Sequence, residues 1–157
     1  MSFEKERDYR RCRARIEALC EGGDDQVAKM ASIVGVLHNE MNDFFWTGFY
    51  RVIEERLVIG PYQGTVGCLS IEIGKGVCGT AVAMGETQVV EDVHDFPGHI
   101  ACDERSKSEI VVPVTDESGA LIAVLDIDSV EKGAFDEIDR VSLEGILAHV
   151  FGGAMTH

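Results

Sequence analysis

Apolar positions along the chain recur first with a helical period and then with a strand period. Over residues 3–20, Cys12, Ile16, Leu19 and Cys20 fall at helical spacing among Arg and Glu side chains. Gly22 and Gly23 end that helix. Asp24 or Asp25 caps a second one, whose stripe is Val27, Met30, Ala31, Val34, Leu37 and Met41. From Phe44 the period changes. FFWTGFYRVI is rich in aromatic and β-branched residues and predicts a strand. Glu54 and Glu55 make a turn, and RLVIG returns as a second strand. A third covers TVGCLSIEI, residues 65–73. Glycines 74, 76 and 79 bracket a short helix, and ETQVVED forms a brief strand. Residues 93–108 are irregular, with Pro97 and Gly98 among polar side chains. EIVVPV and ALIAVLDID make a hairpin around ESG. Residues 135–151 form a last helix, with Asp136 as N-cap and Ile138, Val141, Leu147 and Val150 at apolar positions. Pro113 inside EIVVPV points to an edge position or a bulge.

Short links between successive strands imply an antiparallel sheet with helices at one face, an α+β fold. The 157 residues fit one domain, 1–157, and no Pro/Gly/Ser-rich linker divides them. Twenty-eight acidic against 14 basic residues leave a net charge of −14. Such a field repels a phosphate backbone and an anionic membrane surface, so nucleic acid and membrane are unexpected partners. No apolar run approaches the roughly 20 residues of a transmembrane helix. The opening MSFEKERDYRRCRAR lacks the apolar core of a secretory signal. With five cysteines, an odd count, the expectation is reduced thiols in the cytoplasm.

Three places carry candidate chemistry. Gly74-Lys75-Gly76-Val77-Cys78-Gly79 matches G-x-G-x-x-G, but the dinucleotide fingerprint needs a βαβ crossover. Here the helix stops at Gly85, so the glycines read as a tight turn and a close helix–sheet contact, with no cofactor expected. Asp126 and Asp128 lie on alternate positions of one strand and share a face, in line with Val124 and Ile122. Two neighbouring acids repel, so one holds its proton to higher pH and can act as a general acid; the plainer alternative is two solvated acids at a strand end. Cys102 lies in an irregular loop, where functional residues concentrate. His99, Arg105 and Lys107 nearby favour its thiolate, while Asp103 and Glu104 oppose it. An inert, partly buried cysteine is the alternative. Without C-x-x-C or H-x-x-x-H spacing, no metal is expected, and His94 and His99 read as hydrogen-bonded loop residues.

Several longer motifs then occur in fixed order. They are Trp46-Thr47-Gly48-Phe49-Tyr50, Gly60-Pro61-Tyr62-Gln63-Gly64, Gly76-Val77-Cys78-Gly79-Thr80-Ala81, Glu91-Asp92-Val93-His94, Gly98-His99-Ile100-Ala101-Cys102-Asp103, Ser108-Glu109-Ile110-Val111 and Leu125-Asp126-Ile127-Asp128-Ser129. Together they resemble the free methionine-(R)-sulfoxide reductases, which are built on a GAF domain. The resemblance implies a six-stranded antiparallel sheet flanked by N- and C-terminal helices, and a homodimer. It implies reduction of the R-epimer of free methionine sulfoxide, with electrons from thioredoxin. By matching position, Cys102 is the attacking thiol, Cys68 the resolving one and Cys78 a third family thiol. Glu109, Asp126 and Asp128 match acids that hold the substrate and assist proton transfer, and Trp46 and Tyr50 match pocket aromatics. A small-molecule sensor without turnover, or a redox switch using Cys68 and Cys102 with no substrate, are the competing functions.

Overall fold

The computed structural model describes residues 2–99 and 102–152; Ile100 and Ala101 of the loop motif lie outside them. Helices α1 (Ser2–Cys20) and α2 (Gln26–Glu40) precede strands β1 (Trp46–Ile53), β2 (Arg56–Gln63) and β3 (Ser70–Glu72). Then follow α3 (Gly76–Met84), β4 (Gln88–Val90), a 3-10 turn (Val93–Asp95), β5 (Ser108–Thr115), β6 (Leu121–Ser129) and α4 (Glu137–Phe151). The six strands form one antiparallel sheet in the order β3-β2-β1-β6-β5-β4. This is the α+β class expected from the strand pattern, but the helices are not confined to one face: α3 packs on the side opposite α1, α2 and α4. Among the described residues, no helix is long and apolar enough to cross a membrane.

Strand alternation divides the sheet into two faces. Phe49, Ile110, Val112, Val114, Ala123, Leu125 and Ile127 face one way and pack with Ile16, Ile33, Leu37, Leu143 and Ile146 of α1, α2 and α4. Trp46, Tyr50, Val111 and Val124 face the other way, where α3 contributes Val77, Cys78 and Ala81. Helix termini form as their capping residues dictate. Asp25 accepts from the Ala28 amide at 2.9 Å, and Asp136 and Asp139 form a reciprocal capping box.

Several positions depart from the pattern. The third strand shrinks to three residues, because 64–69 leave the sheet and lie over Trp46. The second runs on to Gln63 through a register shift around Gly60 and Pro61. There the missing proline N–H costs no ladder bond. Pro113 lies in an interior strand, but β4 covers only Glu109–Val111 of β5, so Pro113 sits beyond its end. Ile122 is an extra residue in the β5–β6 register and packs with the helix-side core, out of line with Val124. Leu19, Val27 and Val141 are exposed despite their helical spacing.

Tyr9 is a core residue the pattern did not single out. Its hydroxyl donates to Asp139 Oδ1 at 2.5 Å, while Lys5 Nζ reaches Asp139 Oδ2 at 2.7 Å. The Asp136 amide adds a third bond to that carboxylate. This buried cluster ties α1 to the start of α4. Tyr9→Phe leaves one carboxylate oxygen without its donor, and urea denaturation should show a loss of about 1–2 kcal/mol.

Candidate active site

The site grows from the register of three strands. Trp46 is opposite Asp128 and Gly48 opposite Asp126 across β1 and β6, while Glu109 is opposite Asp128 across β5 and β6. Residues two apart share a face, so Trp46, Gly48, Tyr50, Glu109, Asp126 and Asp128 all point away from the three-helix layer. Gly48 is the gap in this row. A Cβ there would fall 2.5 Å from Trp46 Cη2, so only glycine lets the indole lie back across the strand. The indole stacks between Tyr50 and Tyr62, at 5.9 and 5.3 Å between ring centroids. Its Nε1 donates to the Thr65 carbonyl at 2.7 Å, which anchors the 64–69 loop on the ring.

Above this floor, two loops meet. Cys68 and Cys102 are joined by a disulfide, with Cα atoms 5.6 Å apart across 34 positions of sequence. That separation lies within the usual range for a disulfide. A second tie runs from Thr65 Oγ1 to Asp103 Oδ2 at 2.7 Å. Arg105 grips the same carboxylate through Nε and Nη2 and lies over the Phe45 ring, 5.0 Å from its centroid. The N-terminus of α3 completes the wall with Lys75, Gly76, Val77 and Cys78. The glycines there do what the tight-turn reading expected: Gly74 N–H donates to the Gly79 carbonyl, and a Gly79 Cβ would meet the Glu72 carbonyl at 2.5 Å. The resulting cavity, about 530 Å³ counted out to its open mouth, is lined by the two aromatics, all three acids, Cys78, Cys102 and His99.

The floor is electrostatically unusual. Glu109 and Asp126 are each only 6% exposed. Burial, then the charges of Asp126 and Asp128, hold the Glu109 carboxyl well above the usual carboxylate range. Burial and Asp126 do the same to Asp128. Burial raises Asp126 too, with hydrogen bonding from Glu109 and Cys78 pulling it back. Asp126 Oδ1 has no hydrogen-bond partner. The Cys78 thiol is pushed up by burial and by the same acids, and Tyr50 is pushed up by burial and Asp126. His99 Nε2 stands 4.0 Å from Glu109 Oε1, and burial lowers the imidazole's affinity for a proton. The arrangement combines an exchangeable sulfur pair, carboxyls that retain protons and an aromatic wall. It can deliver a proton beside a sulfur nucleophile.

Cys102, Cys68, Cys78, Glu109, Asp126, Asp128, Trp46 and Tyr50 all line this cavity or its rim. Asp126 and Asp128 are therefore pocket acids, not solvated strand-end ones. Two local expectations change. Cys68 sits in a loop and not in a strand. Arg105, read as a promoter of the Cys102 thiolate, is engaged by Asp103 instead. His94 is hydrogen-bonded to Asp92, as expected, but lies in the 3-10 turn instead of an irregular loop. Lys75, Ser106 and Tyr62 belong to the surroundings without having been singled out. Lys75 and Tyr62 stand inside glycine motifs that gave them no role, and Ser106 has no local mark; the fold brings the three here.

The GAF domain family matches residues 30–150. Free methionine-R-sulfoxide reductase of Escherichia coli is 44% identical over 133 residues, 85% of this chain and 80% of its own. The structure of fRMsr of Staphylococcus aureus in its reduced form superposes with a TM-score of 0.88 at 42% identity, covering 92% and 93% of the two chains. Free methionine-R-sulfoxide reductase from Neisseria meningitidis, in complex with its substrate, gives a TM-score of 0.87 at 41% identity over 92% and 86%. These matches span the strands, the short helix and both cysteine loops that build the pocket, and by them the chain belongs to the GAF-domain family of free methionine-R-sulfoxide reductases.

Proposed function

We propose that this pocket reduces free L-methionine-(R)-S-oxide to methionine. The observation that carries the reading is the meeting of the Cys68–Cys102 pair with buried Glu109 and Asp126 and half-buried Asp128 around one cavity. In the reduced state the Cys102 sulfur attacks the sulfoxide sulfur, and the S–O bond breaks as a cluster carboxyl protonates the oxygen. The oxygen leaves as water, which then attacks the Cys102 sulfur and breaks its bond to the substrate sulfur, so that methionine leaves and Cys102 remains as a sulfenic acid. The Cys68 thiol then attacks the Cys102 sulfur and displaces water, forming the disulfide. An external dithiol returns both cysteines to thiols and is itself oxidised to a disulfide.

The other residues take roles by chemistry and place. Trp46 and Tyr50 form the apolar wall for the substrate methyl group. One ionised acid of the cluster receives the substrate ammonium, and a protonated neighbour donates. Cys78, pushed up by burial among the acids, stays a neutral thiol facing them. Thioredoxin is the reductant in this reading. Val66 and Leu69, 78% and 79% exposed on either side of Cys68, offer it apolar contact. The protein works as a cytoplasmic homodimer. A sensor reading would leave the paired thiols without a task.

The test sets R and S epimers, free and peptide-bound, side by side in a thioredoxin-coupled assay. Consumption of the free R-epimer alone is expected. Turnover only of peptide-bound sulfoxide, or none with any of the four, would overturn the proposal.

A further inference from the structure

A second chemistry is built into the floor of the same pocket. Cys78 Sγ and one carboxylate oxygen each from Glu109 and Asp126 lie within 4.8 Å of one another, and all three residues are buried. Their spacing in sequence carries no metal signal, because they arrive from α3, β5 and β6. Beyond the hydrogen bonding that Glu109 and Cys78 supply to its carboxyl, Asp126 Oδ1 is a buried polar atom with no partner. An unsatisfied carboxylate oxygen in that position costs free energy that a ligand can recover. Asp128 adds a third acid at the edge of the group, and His99 stands over Glu109. Among the residues lining the pocket, Lys75 is the one standing cation, and it lies on the α3 wall.

We propose that, in the absence of substrate, Cys78, Asp126 and Glu109 bind a borderline-soft divalent cation of the zinc type, which competes with the sulfoxide. Zinc bonds thiolate at about 2.3 Å and carboxylate at about 2.0–2.2 Å. Donors on a shared tetrahedral ion therefore sit about 3.5 Å apart, and side-chain torsions can close the difference. A thiol beside two carboxylates favours zinc over magnesium or calcium, which take oxygen ligands alone. Binding exchanges protons for metal: the ion displaces the Cys78 thiol proton and any proton held by the two carboxyls, with no change of oxidation state. The open mouth leaves a coordination position to water. The metal occupies the place that the substrate's ammonium takes in the reading above, and the competition rests on that reading.

Titration calorimetry of the reduced full chain carrying Cys68→Ser and Cys102→Ser tests binding without the redox pair. One equivalent of zinc is expected to bind with proton release, and magnesium is expected to give no saturable heat. Adding Cys78→Ser, or separately Asp126→Asn, should weaken zinc roughly tenfold or more. The isosteric Asp126→Asn keeps the test alive if the cysteine variant fails to fold. In the wild-type enzyme, zinc should raise the apparent KM for the sulfoxide without lowering kcat, and a chelator should reverse this. Absence of stoichiometric binding, or binding unchanged in both variants, overturns the site. The calorimetry stands apart from turnover, so an enzyme that reduced no sulfoxide in metal-free buffer would refute the proposed function and leave the metal result to be judged alone.

Discussion

Cys102→Ser is expected to abolish sulfoxide reduction, by about four orders of magnitude or more in kcat, with the fold intact. A serine hydroxyl is a far weaker nucleophile toward sulfur, and it cannot form a sulfenic acid. Cys68→Ser should behave differently. The first half-reaction needs only Cys102, so this variant should release about one equivalent of methionine per chain and then stop with thioredoxin as reductant. The sulfenic acid left on Cys102 should be trapped by a dimedone-type reagent and seen by mass spectrometry. Full multiple turnover in Cys102→Ser would remove that residue from the nucleophile's role. A burst of equal size in both variants would dismiss the division of labour between the two thiols. Oxidised wild-type protein should show the Cys68–Cys102 linkage by peptide mapping, while Cys12, Cys20 and Cys78 stay free.

Glu109→Gln is expected to lower kcat about a hundredfold or more, and at the same time to stabilise the protein near neutral pH. Glu109 is buried beside Asp126 and Asp128, and its carboxyl titrates well above the ordinary carboxylate range, first because of burial and then because of its neighbours' charge. Each of the three acids binds its proton more tightly in the folded chain than in the unfolded one. The folded state therefore carries extra protons over the interval above the ordinary carboxylate value, and the unfolding free energy falls as pH rises through it. Activity should fall over the same interval, as the donor loses its proton. Glutamine keeps the shape and removes both the donated proton and one repelling charge. Denaturation across pH 4–9 should show a shallower decline for the variant, and a gain on the order of 1 kcal/mol at the upper end. Kinetics should show the alkaline limb altered. An unchanged pH–rate profile would mean that another group delivers the proton.

The strand meander, both hairpins, the N-caps at Asp25 and Asp136 and the alternation that sets Asp126 and Asp128 on one face were legible because they depend on local period and capping chemistry. Some local features were not. Residues 65–69 have the composition of a strand, yet they leave the sheet because Gly64 and Gly67 let the backbone settle on Trp46, where a Gly67 Cβ would meet Cζ2 at 2.9 Å. Ile122 departs from alternation because one extra residue in the β5–β6 register rotates it to the other face. Arg105 has a sequence neighbour it was expected to serve, Cys102, but a bidentate carboxylate two residues away holds it more strongly.

Taken alone, the order of residues determined the element types, the two-faced sheet and the family, since the motifs that carry family membership are contiguous and their spacing is visible along the chain. Tertiary structure decided the pocket. β1 and β6 pair across about seventy intervening residues, and that non-local pairing sets Trp46 beside Asp128. Two loops 34 positions apart close into a disulfide. Burial under α3 then turns three ordinary acids into proton-holding ones. A carboxyl's proton affinity depends on the water and charge around it, and those surroundings come from segments distant in sequence.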